Sequence, residues 1–401
     1  MIQETKEQAK PKKTALILIF FTVFIDLVGF GLIIPALPTY AQRLHASEFT
    51  VGMLIASYSL MQFFFTPIWG RLSDKLGRRP MLLFSLAASA LGYLIWGFAD
   101  SLWMLFLSRI VAGFGNANIA VAQAYISDVT SLEDRAKGMG LVGAAFGLGF
   151  VIGPAIGCGL SAMGMGLSAL GFVAFAFSLL DLILTAALLP EPQKRSNAGN
   201  ERFGISPKFF FDVLLNAKLK VSLAIFFIST FAFANMEATL ILLTNKIFKF
   251  NDVQNMLMFL YIGILMVFVQ GGLIHRLNKK YGEKKLIIIG TALIAVGLVF
   301  TPISQNPVVL YLALAVLALG SGINTPANQS MLSKLAPSDT AGGVLGVGQS
   351  LSTLGRIAGP IVGCYVFETM GSQSPYMIGA AAMVIAFALG FMLPEPSQEA
   401  A

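Results

Sequence analysis

A ten-residue stretch that occurs twice in the chain decides the fold. The first copy is Gly149-Phe-Val-Ile-Gly153-Pro154-Ala-Ile-Gly157-Cys158, and the second is Gly355-Arg-Ile-Ala-Gly359-Pro360-Ile-Val-Gly363-Cys364. The copies align without a gap at an offset of 206 residues and share five identical positions. The same offset pairs Asn118 with Asn324 and Gln123 with Gln329. The chain is therefore predicted to consist of two repeats that run in the same direction.

Apolar segments surround both copies. Apolar residues make up 56% of the 401 residues, and charged residues make up 12%, against about 25% in a soluble domain. Lipid must therefore be the solvent for much of the chain. The apolar segments have the roughly 20 residues that a helix needs to cross hydrocarbon. We predict twelve such spans: 14–38, 50–70, 80–99, 102–127, 136–161, 166–189, 220–245, 253–275, 285–304, 307–333, 341–367 and 375–393.

The basic residues predict how these spans are oriented. With a cytoplasmic N-terminus, 22 of the 27 Lys and Arg lie in inner segments and 3 lie in outer loops. This is the bias expected of a cytoplasmic membrane protein, and it places both termini in the cytoplasm. The net charge of +7 follows from this topology and gives no reason to expect a nucleic-acid partner.

The fold class is accordingly an all-α membrane protein of two pseudo-symmetric six-helix bundles. We expect the bundles to comprise residues 1–189 and 220–401, joined by a polar cytoplasmic linker at 190–219 that contains a short amphipathic helix. Same-direction repeats imply a two-fold axis along the membrane normal, with a binding site between the bundles.

The loop between the second and third spans carries a recognisable motif. It runs Gly70-Arg71-Leu-Ser-Asp74-Lys-Leu-Gly77-Arg78-Arg79-Pro80. This sequence resembles the loop signature of the major facilitator superfamily, and the length, helix count and duplication extend the resemblance over the whole chain. The resemblance implies a cytoplasmic latch that holds an outward-open state. In this latch Gly70 allows close helix approach, Asp74 lies at a helix N-terminus, and Arg78 pairs with Asp128. The simpler alternative is a basic loop that obeys the positive-inside rule.

The duplicated stretch itself resembles the antiporter motif of drug exporters. Glycines four residues apart lie on one helix face and let backbones touch, and a proline removes a backbone donor and can kink the helix. The motif therefore implies export, while tight packing alone is the alternative. Its residues are Gly149, Gly153, Pro154 and Gly157 in the fifth span and Gly355, Gly359, Pro360 and Gly363 in the eleventh.

An acid lies deep in the first span, within Asp26-Leu-Val-Gly29-Phe-Gly31-Leu-Ile-Ile-Pro35-Ala-Leu-Pro38. This stretch resembles the first helix of twelve-helix drug:proton antiporters and tetracycline-resistance exporters. Asp26 stands twelve residues after Thr14, roughly 18 Å along a helix. A carboxylate at that depth should pair or exchange protons. Its expected partner is Arg109 in the fourth span. The stretch Arg109-Ile-Val-Ala-Gly113-Phe-Gly115 resembles the superfamily motif linked to proton coupling. A static ion pair is the alternative.

Other charged residues in the spans receive weaker predictions. Glu237, in the seventh span, is expected to be a lone acid among aromatic residues and a second proton-exchange site, or else hydrated near the outer mouth. Asp181 is expected to face water of the inner leaflet, and Arg356 has no obvious partner in the sequence. Gly92 stands where tetracycline exporters have an acid in the third span, and this difference argues against tetracycline as the substrate.

Amides within the spans are candidates for lining a substrate cavity. Each could equally serve a hydrogen bond between helices, since buried amides require partners. The candidates are Asn116, Asn118, Gln123, Asn235, Asn324 and Gln329.

Together these features predict a proton-coupled secondary exporter of small lipophilic or amphipathic compounds that works by rocker-switch alternating access. A lipid exporter or a nutrient uptake symporter on the same fold is the alternative. We find no enzyme motif, metal-ligand cluster or phosphate-binding loop, and expect no cofactor besides the proton gradient. The expected partners are the substrate, protons and membrane lipid, and the expected state is a monomer in a bacterial cytoplasmic membrane.

Overall fold

The computed structural model describes residues 9–116, 118–130, 132–192, 207–337 and 340–394. Within these ranges the chain forms helices and no strand. In chain order the helices are α1 (Ala9–Ile33), α2 (Leu37–Arg43), α3 (Glu48–Leu76), α4 (Arg78–Gly97), α5 (Leu102–Gly115), α6 (Asn118–Val129), α7 (Leu132–Ala162), α8 (Leu167–Leu188), α9 (Pro207–Leu215), α10 (Lys220–Ile247), α11 (Asp252–Phe268), a π-helical turn (Val269–Leu273), α12 (Ile274–Ile303), α13 (Pro307–Leu335), α14 (Ala341–Met370) and α15 (Ser374–Phe391). The all-α fold class is therefore confirmed.

Ten helical stretches in the described part are long and apolar enough to cross a membrane. The prediction of twelve differs from this number for two reasons. The stretch Asp252–Ile303 is one of the ten, with 52 residues, although Gly282 within it has non-helical φ and ψ of 73° and 163° and separates the eighth predicted span from the ninth. The eleventh predicted span, α14, is a 30-residue helix rich in glycine that contains Arg356, and it is not among the ten.

The fourth predicted span is divided into two helices. The α-helical conformation ends at Gly115 and resumes at Asn118, so the break exposes backbone carbonyls inside an apolar region. Side chains of α3 satisfy them: Trp69 Nε1 donates to the carbonyl of Phe114 at 2.6 Å, and Thr66 Oγ1 donates to that of Asn116 at 3.3 Å. Such rescue is what permits a broken helix at membrane depth.

The chain divides into two compact units. One contains Met1–Ala36 and Met61–Gly204, and the other contains Leu37–Leu60 and Ile205–Ala401. The division at 204 falls inside the predicted linker, of which residues 193–206 lie outside the described part. Helix α9 lies where an amphipathic helix is predicted, and its Phe209 packs against Gly343.

In the first unit, the duplicated glycine motif joins α7 to α1. A Cβ atom at Gly153 would lie 2.7 Å from the carbonyl oxygen of Val28, and one at Gly149 would lie 2.5 Å from Leu27 Cβ. Only glycine permits this approach, so the predicted backbone contact is confirmed. Helix α7 continues through Pro154 without interruption.

The second unit repeats this contact between α14 and α10. A Cβ atom at Gly359 would lie 2.7 Å from the carbonyl oxygen of Phe231. Gly153 and Gly359 are 206 residues apart, whereas the carbonyls that they meet, those of Val28 and Phe231, are 203 residues apart. This register makes Ser229 the counterpart of Asp26.

The segment 37–60 packs against the other helices of the second unit. Arg43 forms an ion pair with Asp252 at 2.7 Å, and the backbone N–H of Phe49 donates to Glu368 at 2.7 Å. A Cβ atom at Gly52 would lie 2.5 Å from the carbonyl oxygen of Pro360.

Candidate functional site

The carboxylate of Asp26 is buried among neutral polar groups in the first unit. The side chain is 4% exposed. Ser89 Oγ of α4 donates to its Oδ1 at 3.4 Å, and the amide of Asn118 in α6 approaches it without a hydrogen bond of good geometry. Three helices thus position the acid and its two neighbours.

Arg109 of α5 occupies a different environment from the one predicted. Its guanidinium lies over the ring of Trp96, 5.2 Å from the centroid, and its Nη2 is 3.4 Å from Ser108 Oγ. Cation–π contact of this kind stabilises a desolvated arginine. Ser89 and Asn118, rather than Arg109, contact the Asp26 carboxylate, so the predicted ion pair is corrected. Sequence spacing gives depth along a helix but not rotation about its axis.

A second acid of the first unit is also buried. Asp181 of α8 is 2% exposed, so the expectation that it faces water is wrong. Thr22 Oγ1 donates to its Oδ1 at 3.2 Å, and Thr185 Oγ1 does so at 3.4 Å. The sequence signal that could have revealed this is the spacing of four residues between Asp181 and Thr185, which places both on one helix face.

In the second unit, Glu237 has an electrostatic partner. It is half-buried in α10, and its charge interacts with that of Arg356 in α14. Arg356 also interacts with the Tyr58 side chain. No ion pair or hydrogen bond between Glu237 and Arg356 is described, so this interaction acts over a longer distance. That Glu237 is an isolated acid stays a prediction.

Three of the six amides proposed to line a cavity form hydrogen bonds between helices. Gln62 Nε2 donates to Asn116 Oδ1 at 3.0 Å, Asn235 Nδ2 donates to the carbonyl of Pro375 at 2.9 Å, and Asn324 Nδ2 donates to Ser229 Oγ at 2.9 Å. These three asparagines and Asn118 are buried, whereas Gln123 is exposed and Gln329 is half-buried. The structure thus favours the packing alternative for Asn116, Asn235 and Asn324.

The two repeats differ in charge at equivalent positions. Asn118 and Asn324 are counterparts, and each faces α1 or α10 at the register identified above. The amide of Asn118 meets the carboxylate of Asp26, while the amide of Asn324 meets the hydroxyl of Ser229. Only the first copy of this site can therefore hold a titratable proton.

Comparison with known proteins assigns the chain to a family. The profile of the Major Facilitator Superfamily matches residues 19–280 and 272–401. The chain belongs to the Major Facilitator Superfamily. It is 35% identical to a class H tetracycline resistance protein of Pasteurella multocida, over 89% of both chains. It is 27% identical to multidrug resistance protein 2 of Bacillus subtilis, over 99% of both. The solved human organic anion transporter MFSD10 matches with a TM-score of 0.73 and 25% identity, covering 95% of this chain and 99% of that one.

Members of the Major Facilitator Superfamily are multi-pass membrane transporters, and the predicted loop signature is present in this one. Arg78 pairs with Asp128 at 2.8 Å, as predicted, and with Asp74 at 2.6 Å. That Asp74 lies at a helix N-terminus stays a prediction; at the N-terminus of α4 the acid is Glu191. Its carboxylate accepts from the backbone N–H groups of Arg78 and Arg79 at 2.6 and 2.9 Å.

Gly70 does not mediate a close helix contact. A Cβ atom there would meet nothing within 4 Å. Among the described residues, the predicted close approach of another helix at Gly70 is therefore wrong. The glycine that the loop requires is Gly77, whose φ is 109° and beside which Glu191 lies. The sequence hint for Glu191 was its position in Leu189-Pro190-Glu191-Pro192, which recurs at the end of the second repeat.

The equivalent loop in the second unit contains an ion pair at the position of Arg78 and Asp128, with the charges reversed. Gly282 has φ of 73°, and the next residue, Glu283, pairs with Lys334 at 2.6 Å. Lys334 is 206 residues after Asp128. Burial raises the pKa of Glu283, but hydrogen bonds from Lys334, Asn278 and Ser330 outweigh burial and hold this pKa below its usual range.

The third span of this transporter has no room for the acid found in tetracycline exporters. A Cβ atom at Gly92 would lie 2.8 Å from Ala112 Cβ, and Ser108 Oγ donates to the carbonyl of Gly92 at 2.8 Å. Glycine at this position allows α4 and α5 to touch. An acid here would force these helices apart.

Proposed function

We propose that this transporter is a proton-coupled exporter of small lipophilic or amphipathic compounds. The observation that carries the proposal is the buried Asp26 carboxylate, whose described contacts, Ser89 and Asn118, are neutral. An ionised carboxylate within hydrocarbon costs several kcal/mol unless it is paired. The free energy of the protein therefore depends on whether Asp26 carries a proton, which is the property that proton coupling requires.

The relatives support the direction and the substrate class. One is named for resistance to tetracycline and another for resistance to many drugs, and resistance through a transporter means export. The glycine contacts of α7 and α14 are consistent with this direction through the resemblance to the antiporter motif. Gly92 stands where tetracycline exporters have an acid, and here it forms a contact between α4 and α5. We therefore expect the substrate to be a lipophilic compound other than tetracycline.

Coupling by alternating access requires that proton and substrate bind alternative states. In our proposal protons from outside bind Asp26, and substrate from the cytoplasm displaces them. The second unit contributes Glu237, which Arg356 partly neutralises. An amphipathic cation would compete with this arginine for the carboxylate, so Glu237 is the acid that we expect to contact substrate.

The experiment uses inverted membrane vesicles with an imposed gradient, acid inside and without ATP. Uptake of the dye Hoechst 33342 reports export. We expect Asp26→Asn to lower gradient-driven uptake about a hundredfold and to preserve exchange of dye across the membrane without a gradient. Asp212→Asn, the same change at an exposed acid of α9, is the control. Gradient-driven uptake by Asp26→Asn at the wild-type rate would contradict the proposal.

A second candidate function is the transport of organic anions. It is favoured by Arg356, a half-buried cation within α14, and by the relative that is named as an organic anion transporter. In the same vesicles, uptake of carboxyfluorescein that is lost in Arg356→Gln, with no uptake of Hoechst 33342, would support this candidate over the first.

A further inference from the structure

The second buried acid of the first unit has no part in the function proposed above. Asp181 lies on α8 with Thr185 one turn later, and both face Thr22 on α1. The hydroxyls of Thr22 and Thr185 are 3.2 Å apart, and each is within 3.4 Å of Asp181 Oδ1. All three side chains are at most 2% exposed. An ionised carboxylate that only two hydroxyls stabilise has a high free energy in a buried site. Acids within membrane spans are therefore usually functional.

Two groups in this region have polar atoms without a partner among the described residues. Oδ2 of Asp181 accepts no hydrogen bond, and neither the nitrogen nor the oxygen of the Asn118 side chain forms one. Buried polar atoms of this kind are uncommon and call for an explanation. Asn118 approaches Asp26, which in turn interacts electrostatically with Asp181. The hydrogen-bonded group of Asp181, Thr22 and Thr185 therefore neighbours Asp26 and Asn118, and no hydrogen bond is described between the two groups.

We propose that Asp181 is the group through which Asp26 exchanges its proton with the cytoplasm, with the Thr22 hydroxyl as the bridge. This inference rests on the proposed function, because it supplies the inward half of the proton pathway that export requires. Thr22 and Asp26 are four residues apart on α1, so their side chains lie on one face of the helix.

The transfer is balanced without another reactant. The protonated Asp26 gives its proton to the oxygen of Thr22 while Thr22 gives its own proton to the Asp181 carboxylate. Asp26 is left as a carboxylate, Thr22 is again a hydroxyl, and Asp181 carries the proton. Asp181 then releases the proton to cytoplasmic water beyond the end of α8 and returns to the carboxylate, which resets the pathway.

The position of Asp181 suits release to that side. It lies seven residues before Leu188, the last residue of α8, about 10 Å from the helix end. Thr185 lies between, and Arg79 donates to the carbonyl of Ala186 at 2.5 Å. Asp26 from α1, Arg79 from α4 and Glu191, which follows α8, are the charged groups described along this route.

The second repeat provides a natural comparison. At the register that relates α1 to α10, the counterpart of Thr22 is Ile225, and that of Asp26 is Ser229. Ile225 is fully buried. The second unit packs this position with a hydrocarbon side chain, so the hydroxyl and carboxylate of the first unit are not a requirement of the fold.

The test compares Asp181→Asn, Thr22→Val and Asp181→Glu in the vesicles described above. We expect Asp181→Asn and Thr22→Val to lower gradient-driven Hoechst 33342 uptake at least about tenfold and to leave gradient-free exchange near the wild-type rate. Asp181→Glu should restore gradient-driven uptake with a shifted pH profile, because it retains a carboxyl group. Ser178→Ala, a buried hydroxyl one turn earlier on α8, should behave as wild type.

Three outcomes of this test would contradict the proposed relay, and they can be told apart. Wild-type gradient-driven uptake by Asp181→Asn would overturn the relay alone. Loss of gradient-free exchange in Asp181→Asn without rescue by Asp181→Glu would overturn it in favour of a structural role. A wild-type protein that exchanges dye but does not respond to the gradient would overturn the proposed function, and the relay with it.

Discussion

At the scale of single residues, Gly77 illustrates how one position can satisfy two constraints. Its φ of 109° lies in the region that favours glycine, and Glu191 lies where a side chain would begin, 2.7 Å from the position of a Cβ atom. This glycine turns the chain between α3 and α4. The turn brings the first two backbone N–H groups of α4 onto the Glu191 carboxylate, which complements the positive end of the helix.

Replacing Gly77 should therefore be costly. We expect Gly77→Ala to destabilise the protein by at least about 1–2 kcal/mol from backbone strain alone, with the displacement of Glu191 in addition. The measurement is the apparent melting temperature of the purified protein in detergent. Gly70→Ala is the matched control, since a Cβ atom there meets nothing within 4 Å and alanine favours a helix interior. Equal melting temperatures for the two variants would contradict this account.

The sequence revealed some of these residues and not others, for a physical reason. Depth in the membrane can be counted along the chain, so the burial of Asp26 was predictable. Which neighbour a side chain meets depends on helix rotation, so the partner of Asp26 was predicted wrongly as Arg109. Asp181 was misjudged in the same way, because its distance from the helix end suggested water while its helix face points to Thr22.

At the scale of elements, the two loop regions share geometry and differ in charge. In the first unit a cation at the start of α4 pairs with an acid at the end of α6, as Arg78 and Asp128. In the second unit an acid in α12 pairs with a cation at the end of α13, as Glu283 and Lys334. The repeat thus preserves an ion pair between neighbouring helices although both residue types have changed. What is maintained is attraction at that point, rather than a particular residue.

Exchanging the two charges between Glu283 and Lys334 should preserve this attraction. Lys334→Glu places two carboxylates together and should lower the melting temperature, while the double variant Glu283→Lys with Lys334→Glu should recover much of the loss. The partners are partly buried, and separating such a pair typically costs more than the roughly 0–1 kcal/mol of an exposed one. A double variant no more stable than Lys334→Glu alone would contradict an attractive role.

The same pair predicts a dependence on pH. The pKa of Glu283 is lower in the folded protein than its usual value, so its contribution to stability is fully present above the usual glutamate range and is lost as the pH falls through the folded pKa. We expect the difference in melting temperature between wild type and Glu283→Gln to be largest near neutral pH. It should shrink below about pH 4, and a difference that grows on acidification would contradict the prediction.

The glycine contact between α1 and α7 gives a third prediction at this scale. Gly153→Ala places a methyl group 2.7 Å from the carbonyl oxygen of Val28, so the two helices must separate. Overpacking of this kind typically costs about 1–3 kcal/mol. Gly159→Ala on the same helix, where nothing lies within 4 Å, should leave stability and expression unchanged. Comparable yields of folded protein from both variants in size-exclusion chromatography would argue against a tight contact.

Helix interruptions were less predictable than helix positions. The spans followed from hydropathy, but the break after Gly115 and the π-helical turn at Val269–Leu273 did not. A break becomes tolerable only when another helix satisfies the exposed backbone, as Trp69 does for Phe114. That rescue is a tertiary contact, and no local pattern in the sequence encodes it.

At the scale of the whole molecule, composition and duplication determine the most. A chain with 12% charged residues cannot cover a large surface in water, and a gap-free repeat at 206 residues implies two related bundles. Those two facts predict the architecture, and the loop motif from Gly70 to Pro80 carries the resemblance to the superfamily. Composition and duplication do not reveal that Asp26 corresponds to Ser229. That correspondence follows from the offset of 203 residues between α1 and α10, which differs from the offset of 206 between the glycine motifs of α7 and α14.

Orientation in the membrane is the last prediction, and it depends on the whole charge distribution. With 22 basic residues on the side predicted to be cytoplasmic and 3 on the other, inversion would carry many charges across the bilayer. In a background without Cys158 and Cys364, Lys249→Cys should react with a membrane-impermeant thiol reagent applied to intact cells. Lys218→Cys should react only after permeabilisation. Both side chains are exposed and lie outside the helices, so exposure alone does not distinguish them. Labelling of Lys218→Cys in intact cells would reverse the topology, and Asp181 would then release its proton to the outside.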